Sequence, residues 1–287
     1  MAGADWQAGK VRHCAVAIRQ GMDGSGEAAE RGRDYLMSLA VRQQRAGASY
    51  LDVNVDEFST DIDERCKTMR WVTGLLAPVA TVPLSIDSSN TAVLRCGLEH
   101  CNRSHGAPMI NSVSLERADA VPLAAELDAV AVVSAAGERD LPCNTAGRLA
   151  NLDRMIARLK DAGMEDSAFF VDPLVFPVAT DSDNARLFLE AVRAIREQYG
   201  PRIHLVGGFS NVSFGMPGRK LINQVFARLA VEAGADGGIV DPFQIHREAL
   251  NQLDTGSESF ALARALLMGE DPFGVEFISA YREGRFA

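Results

Sequence analysis

One arrangement repeats along the chain and constrains its fold more than any other feature. Short apolar runs that end in Asp, Asn or Ser alternate with segments of helical periodicity. The runs fall at residues 49–55, 82–86, 107–110, 129–133, 169–171, 205–209 and 237–240. Strands this short, rich in Val, Ile and Leu and separated by helices, are typical of a parallel sheet that helices cover.

The sequence therefore predicts an α/β fold, a (β/α)8 barrel of the TIM type with its site at the C-terminal ends of the strands. A length of 287 residues suits one such barrel, and no Pro-, Ser- or Gly-rich linker divides the chain. We predict a single domain over residues 1–287. Eight strands are needed, and the first must lie within residues 1–20, where residues 11–18 suit a helix as well as a strand. This first strand is predicted to be uncertain or truncated.

Composition excludes several classes of partner. A net charge of −9 argues against nucleic acid, because a nucleic-acid surface is basic. No apolar run approaches the roughly 20 residues that span a bilayer, and the first residues lack the apolar core of a secretory signal. We expect a cytoplasmic protein with no membrane partner. The five cysteines form no C-x-x-C pair and the five histidines no H-x-x-x-H pair, so we expect no protein-held metal.

Four polar residues at strand ends are the sharpest candidates for a binding site: Asp87, Asn111, Asp172 and Asn211. Each by itself suits a helix cap or a turn, since Asp and Asn are favoured there. Their recurrence at the same end of successive strands favours a shared site. Two carboxylates and two amides suit a neutral heterocycle that is rich in N–H and C=O groups.

Two further patterns have competing interpretations. Asp52, Asn54 and Asp56 alternate along one strand and share a face, where they either support the site by hydrogen bonds or hold a hard cation such as Mg²⁺; we favour support. Gly24 and Gly26 imitate a dinucleotide-binding fingerprint, but four polar or flexible residues separate them from the preceding apolar run. A loop before a helix is the better interpretation.

Several motifs together resemble the pterin-binding methyltransferase family, which includes the methyltetrahydrofolate:corrinoid-protein methyltransferases and the folate module of cobalamin-dependent methionine synthase. They are LDVNV (51–55), PLSIDSSN (83–90), PMINSVSLE (108–116), FVDPLVFP (170–177) and GFSNVSFGMPGRKLIN (208–223). Dihydropteroate synthase resembles them more distantly, and a lysine in a Ser-x-Lys arrangement would be expected there. This chain instead has Phe209-Ser210-Asn211-Val212. The family's Gly-Glu-Arg-Ile-Asn-like first-strand motif is absent here.

The resemblance implies roles for individual residues. Asn211 matches the catalytic side chain that reaches N5 of the substrate methyltetrahydrofolate. The positions that match the pterin pocket and its basic loop are Asp87, Asn111, Asp172, Gly208, Ser210, Phe214 and Arg219. Asp52, Asn54 and Asp241 are expected to support them.

The implied reaction moves a methyl group between N5 of methyltetrahydrofolate and the cobalt of a corrinoid (cobalamin) that a partner protein carries, with the demethylating direction, toward tetrahydrofolate, also open. In that chemistry the cobalt supplies the nucleophile, consistent with a chain that has no Ser–His or Cys–His pairing pattern. The resemblance also implies a homodimer. A dihydropteroate synthase-like enzyme and a non-catalytic pterin-binding protein remain the alternatives.

Overall fold

A computed structural model of the protein describes residues 13–286. These residues form two compact units. The described part of the first unit covers 13–111 and 127–129, and that of the second covers 112–126 and 130–286. The single domain predicted over residues 1–287 stays a prediction.

The first unit begins with two helices and continues with parallel strands that alternate with helices. Its elements are α1 (His13–Asp23), α2 (Gly26–Arg45), β1 (Leu51–Asn54), α3 (Ile62–Leu76), β2 (Leu84–Asp87), α4 (Thr91–Leu98) and the first residues of β3 (Met109–Val113). The pairing of β1 with β2 and of β2 with β3 is parallel. Their register places Asn54 beside Asp87 and Asp87 beside Asn111. The three polar residues therefore lie in one row across three adjacent strands, at the ends of β1 and β2 and in the middle of β3.

The second unit continues the same alternation. Its elements are α5 (Ala120–Glu126), β4 (Val130–Ser134), α6 (Thr145–Asp161), β5 (Phe169–Asp172), α7 (Asn184–Tyr199), β6 (His204–Leu205), α8 (Arg219–Ala233), α9 (Arg247–Asn251), α10 (Glu258–Leu267) and α11 (Val275–Arg282). A 3-10 turn covers Phe209–Ser213. The strands β4, β5 and β6 pair in parallel, with Ser134 beside Asp172 and Val171 beside Leu205.

An aromatic cluster fixes the chain that follows β6. The rings of Phe188, Phe209 and Phe226 lie with their centroids 5.3 to 6.2 Å apart and are buried. Phe209 thus anchors the beginning of the 3-10 turn in the core of the second unit. A Cβ atom at Gly238 would lie 2.6 Å from the Phe209 ring, so only glycine fits there. The residues immediately after Phe209 therefore follow a point that is fixed in the core.

The structure departs from the sequence prediction at four places. Residues 13–18, proposed as a possible first strand, belong to α1, and residues 1–12 lie outside the described part of the chain. The predicted strand 237–240 is reduced to one parallel bridge between Gly208 and Ile239. The helix α5 was not predicted. Its Pro122 lies in the first turn, where the missing backbone N–H of proline costs no hydrogen bond within the helix. Residues 275–282 form α11, although no regular element is predicted for this tail from the sequence pattern.

The two glycines of the dinucleotide-like pattern lie at the junction between α1 and α2. A helix precedes them where a fingerprint requires a strand. The loop interpretation is therefore correct. Among the described residues, no helix combines the length and the apolar character needed to cross a membrane.

Candidate functional site

The row of polar residues in the first unit is joined by hydrogen bonds between side chains. Asn54 Nδ2 donates to Asp87 Oδ2 at 2.9 Å, and Asn111 Nδ2 donates to Asp52 Oδ1 at 3.2 Å. Each amide is therefore oriented by a carboxylate on a neighbouring part of the sheet. Asn54 and Asp87 also line a cavity of about 550 Å³. Asn54 and Asp87 thus order each other and are accessible from a cavity, whereas Asn111 is oriented by Asp52.

The carboxyl group of Asp52 lies in a poorly hydrated position. Although part of its side chain reaches solvent, the surrounding protein removes enough water to raise its pKa, and hydrogen bonds from Ser85 and Asn111 offset only part of this effect. Asp52 accepts a hydrogen bond from Asn111, and its supporting role in the site stays a prediction.

Asp56 connects the loop after β1 to the loop after β2. Its carboxylate accepts hydrogen bonds from Ser88 Oγ at 2.6 Å and from the backbone N–H of Ser89 at 2.7 Å, and it pairs with Arg65 at 3.2 Å. Burial raises the pKa of Asp56, but these donors outweigh burial and lower the pKa overall. Asp56 is consequently a structural carboxylate. No group of three or more His, Cys, Asp or Glu side chains within residues 13–286 is arranged to hold a metal ion.

In the second unit, Asp172 ends β5 in a strained turn. Its Oδ1 accepts from the backbone N–H of Leu174 at 2.8 Å, and Leu174 has a φ of 72°, which is unusual for a residue with a branched side chain. The buried guanidinium of Arg148 donates from Nε to the Pro173 carbonyl at 2.8 Å. This turn is held in its strained conformation from both sides, as is common where a side chain must be aimed.

Burial dominates the electrostatics of Asp172. It raises the pKa of the carboxyl group to about 6, while the Leu174 N–H and the charge of Arg148 act in the opposite direction. The same burial lowers the pKa of Arg148. Within the described residues, Arg148 Nη1 has no hydrogen-bond partner. Asp172 is therefore a carboxylate that changes charge close to neutral pH.

The turn after β6 presents Asn211 through contacts that involve glycine. The backbone N–H of Asn211 donates to the Gly208 carbonyl at 3.0 Å, and the side chain of Asn211 folds back over Gly208. A Cβ atom at Gly208 would lie 2.9 Å from Asn211 Nδ2, too close for this conformation. Asn211 itself is exposed. Gly208 thus permits the orientation of the Asn211 amide.

Arg219 holds the same turn from its other side. It donates from Nε to Ser213 Oγ and from Nη2 to the Ser210 carbonyl, both at 3.0 Å, and its guanidinium lies 4.7 Å from the centre of the Phe214 ring. Phe214 is 48% exposed. Arg219, predicted to lie in a substrate-binding loop, therefore stabilises the conformation of residues 210–214.

A second, smaller cavity of about 240 Å³ lies beside this turn. It is lined by Ser210, Arg219, Asn223, Asp241, Gln244 and Ile245. Asp241 accepts from Gln244 Nε2 at 2.7 Å and from the backbone N–H of Phe243 at 3.0 Å. The structure thus brings together three of the predicted residues, Ser210, Arg219 and Asp241.

Sequence reasoning missed two polar residues of the second unit. Arg148 lies on α6 and is completely buried, although arginine usually remains exposed. Asn223 lies one turn after Arg219 on α8, is buried, and has no partner for its Oδ1 among the described residues. No local pattern distinguishes either residue, because both are buried by tertiary packing.

Comparison with known proteins places these features in a family context. The family model described as "Pterin binding enzyme" matches residues 27–241. A methylcorrinoid:tetrahydrofolate methyltransferase of Eubacterium limosum is 28% identical over 262 residues, which are 89% of this chain and 90% of that protein. A methionine synthase of Mycobacterium tuberculosis is 31% identical over 224 residues, which are 73% of this chain and 18% of that much longer protein.

Solved structures of dihydropteroate synthases share the fold. The enzyme of Stenotrophomonas maltophilia superimposes with a TM-score of 0.59 over 77% of this chain and 86% of its own, at 18% identity. The enzyme of Coxiella burnetii gives a TM-score of 0.59 over 75% and 82%, at 17% identity. At such identities the likeness concerns the fold alone, and it confirms the predicted α/β fold class.

Proposed function

The chain belongs to the family of pterin binding enzymes, and from this premise we propose that it is a methyltransferase acting on methyltetrahydrofolate. It moves the N5-methyl group between this folate and the cobalt of a corrinoid that a separate protein carries. The observation that carries the proposal is the amide of Asn211, held by Gly208 in the 3-10 turn that follows β6. A dihydropteroate synthase-like enzyme would be expected to have a lysine in this segment, which here reads Phe209-Ser210-Asn211-Val212.

The proposed ring-binding residues are Asp87, Asn111 and Asp172, the positions that the resemblance assigns to the pterin ring. A carboxylate accepts two parallel N–H bonds from an amidine-like ring edge, and an amide pairs with a lactam edge. The hydrogen bonds that orient Asn54 and Asn111 support this assignment, because side chains fixed before binding lose little entropy on binding. Gly208, Ser210, Phe214 and Arg219 complete the proposed pocket in the second unit.

The chemical task assigned to the protein is the stabilisation of charge at N5. When the methyl group leaves as a cation equivalent, the electron pair of the C–N bond stays on N5, and a Co(I) centre of the partner's corrinoid supplies the pair that forms the new bond. An amine leaves readily only when it gains a proton or a strong hydrogen bond. The Asn211 amide offers both a donor and an acceptor, so it can adjust as N5 changes its protonation state. The protein needs no nucleophile of its own.

The demethylation of a methylcorrinoid is the direction favoured by the name of the Eubacterium limosum relative, which puts tetrahydrofolate as the acceptor. The same site serves both directions, since a residue that stabilises the transition state lowers the barrier equally from either side. We therefore propose a reversible transfer whose direction follows the supply of methyl groups.

A methyl-transfer assay tests the function against its two alternatives. The protein is incubated with methyltetrahydrofolate and a reduced corrinoid, and separately with tetrahydrofolate and a methylcorrinoid, while the cobalt absorbance is followed. Transfer in either direction supports the proposal. Turnover of a pterin pyrophosphate with p-aminobenzoate would instead identify a dihydropteroate synthase-like enzyme, and folate binding without either reaction would identify a non-catalytic binding protein.

A further inference from the structure

The cavity of about 550 Å³ in the first unit has two unlike sides. One side is formed by α1, through Cys14, Ala15 and Ile18, and the other is formed by β1 and the loop after it, including Phe58, together with Asp87. A volume of several hundred cubic ångströms is typical of cavities that hold small organic ligands. The residues of α1 have no role in the function proposed above.

The helix α1 is fixed to the rest of the first unit at several points. Arg19 places its guanidinium 4.9 Å from the centre of the Phe58 ring, which belongs to the opposite side of the cavity. At Gly32 of α2 a Cβ atom would lie 2.5 Å from the Ala17 carbonyl, so the two helices are in backbone contact. Arg33 also donates to the Gly21 carbonyl at 3.2 Å. The wall formed by α1 is therefore held in place by α2 and by the loop that it faces.

The chemistry of the two sides suits a flat ring with one polar edge. Ile18, Val55 and Phe58 line the cavity with apolar side chains that are themselves largely buried. Asp87 and Asn54 stand at one end of this surface and are joined by a hydrogen bond of 2.9 Å. A ligand that places its N–H groups on Asp87 would bring its ring against α1.

We infer that α1 forms one wall of the folate-binding cavity. The pterin ring lies in this cavity against the helix, with its aminopyrimidinone edge on Asp87. This inference rests on the proposed function. It assigns Cys14, Ala15 and Ile18 to the binding site, which no sequence motif indicated.

A matched pair of substitutions tests the wall. Ala15→Trp puts an indole into the cavity, whereas Val16→Trp puts the same group on the adjacent position of α1, where the side chain is 41% exposed and does not line the cavity. We expect Ala15→Trp to weaken methyltetrahydrofolate binding at least about tenfold by calorimetry and Val16→Trp to leave it within about twofold. Thermal unfolding of both variants shows whether each is folded.

The wild-type protein offers a second readout that needs no substitution. Cys14 is half-buried and lines the cavity. Because the reactivity of a thiol depends on its accessibility, bound folate is expected to slow the alkylation of Cys14 by iodoacetamide at least about fivefold. Because burial raises the pKa of the Cys14 thiol, labelling is best done near pH 9. The exposed Cys143 shows in the same digest that the reagent is active.

The outcomes separate this inference from the proposed function. Protection of Cys14 together with selective loss of binding in Ala15→Trp supports the wall. Folate binding to the wild type that neither slows Cys14 alkylation nor responds to Ala15→Trp overturns the wall and leaves the proposed function intact. If Ala15→Trp does not fold, protection of Cys14 alone decides the matter. Failure of the wild type to bind methyltetrahydrofolate overturns both.

Discussion

The orientation of the Asn211 amide depends on the absence of a side chain at Gly208. Gly208 accepts a hydrogen bond from the Asn211 backbone and leaves the space over which the Asn211 side chain folds. The φ of Gly208 is −74°, so any residue tolerates its backbone conformation, and the need for glycine is one of space alone. An added methyl group therefore moves the amide and leaves the turn able to form.

This coupling predicts a specific pattern of kinetic losses. Asn211→Ala is expected to lower kcat/KM by about 100-fold, the range seen when one preorganised donor to a transition state is removed, while folate binding weakens much less. Gly208→Ala is expected to cause a similar loss in the wild type and little further loss in the Asn211→Ala background. Steady-state kinetics on the two single variants and the double variant measure this. Fully additive losses would show that Gly208 does not act through Asn211.

The raised pKa of Asp172 leads to a second prediction, on how the binding of methyltetrahydrofolate depends on pH. Its pKa is raised to about 6 by burial, and it is proposed to accept N–H bonds as a carboxylate. Affinity for methyltetrahydrofolate is therefore expected to be constant above pH 7 and to fall up to about tenfold per unit below pH 6, as the carboxyl group takes up a proton. Calorimetry at a series of pH values gives the profile.

The variant Asp172→Asn supplies the control, because its amide has no charge to lose. It is expected to bind more weakly at pH 8 and to show no inflection near pH 6 after correction for titration of the free ligand. An inflection near pH 6 that persists in Asp172→Asn would assign the titration to another group.

At the scale of the elements, Asp56 joins three segments of the first unit. It binds the loop after β2 through Ser88 and Ser89 and reaches α3 through Arg65. Only 20% of the Asp56 side chain and 14% of the Arg65 side chain are exposed, so the pair is poorly screened by water. The loops that follow β1 and β2 therefore depend on a carboxylate outside the row of polar residues.

Removal of this carboxylate is expected to destabilise the first unit. Asp56→Ala leaves buried donors without an acceptor and should lower the free energy of unfolding by about 1–3 kcal/mol, measured from urea midpoints. Asp63→Ala, an exposed carboxylate on α3, is the control and should change little. Because the pKa of Asp56 is lowered in the folded protein, its contribution is present above pH 3.8 and is lost as the pH falls further. Equal destabilisation by both variants would contradict the role given to Asp56.

The elements also show what sequence can and cannot predict. The strands β1 to β5 were predicted because their apolar runs and polar ends are local patterns. Asn90 is of a type favoured at helix caps, and its Oδ1 accepts from the backbone N–H groups of Ala92 and Val93 at the start of α4. The register that aligns Asn54, Asp87 and Asn111 follows from the shared edge of parallel strands. The place of α1 beside the cavity, by contrast, depends on its packing against α2 and Phe58, which no local pattern specifies.

At the scale of the whole molecule, fold and function are supported by different evidence. The likeness to dihydropteroate synthase structures concerns the α/β fold, at identities of 17–18%. The proposal of methyl transfer is supported instead by particular residues, above all by Asn211, and by the methylcorrinoid:tetrahydrofolate methyltransferase that is 28% identical over 89% of this chain. Neither kind of comparison identifies buried groups such as Arg148, because their burial is visible only in the folded chain.

The spectrum of cobalt in a single-turnover reaction tests the central claim most directly. An excess of the protein, preloaded with methyltetrahydrofolate, is mixed anaerobically with a Co(I) corrinoid, and Asn211→Ala is run in parallel. We predict conversion of the Co(I) absorbance to that of methylcobalt, at a rate proportional to the amount of wild-type protein and reduced about 100-fold in Asn211→Ala. A Co(I) spectrum that the wild-type protein changes no faster than buffer does, in spite of bound folate, and an equally inert reverse reaction would contradict the claim.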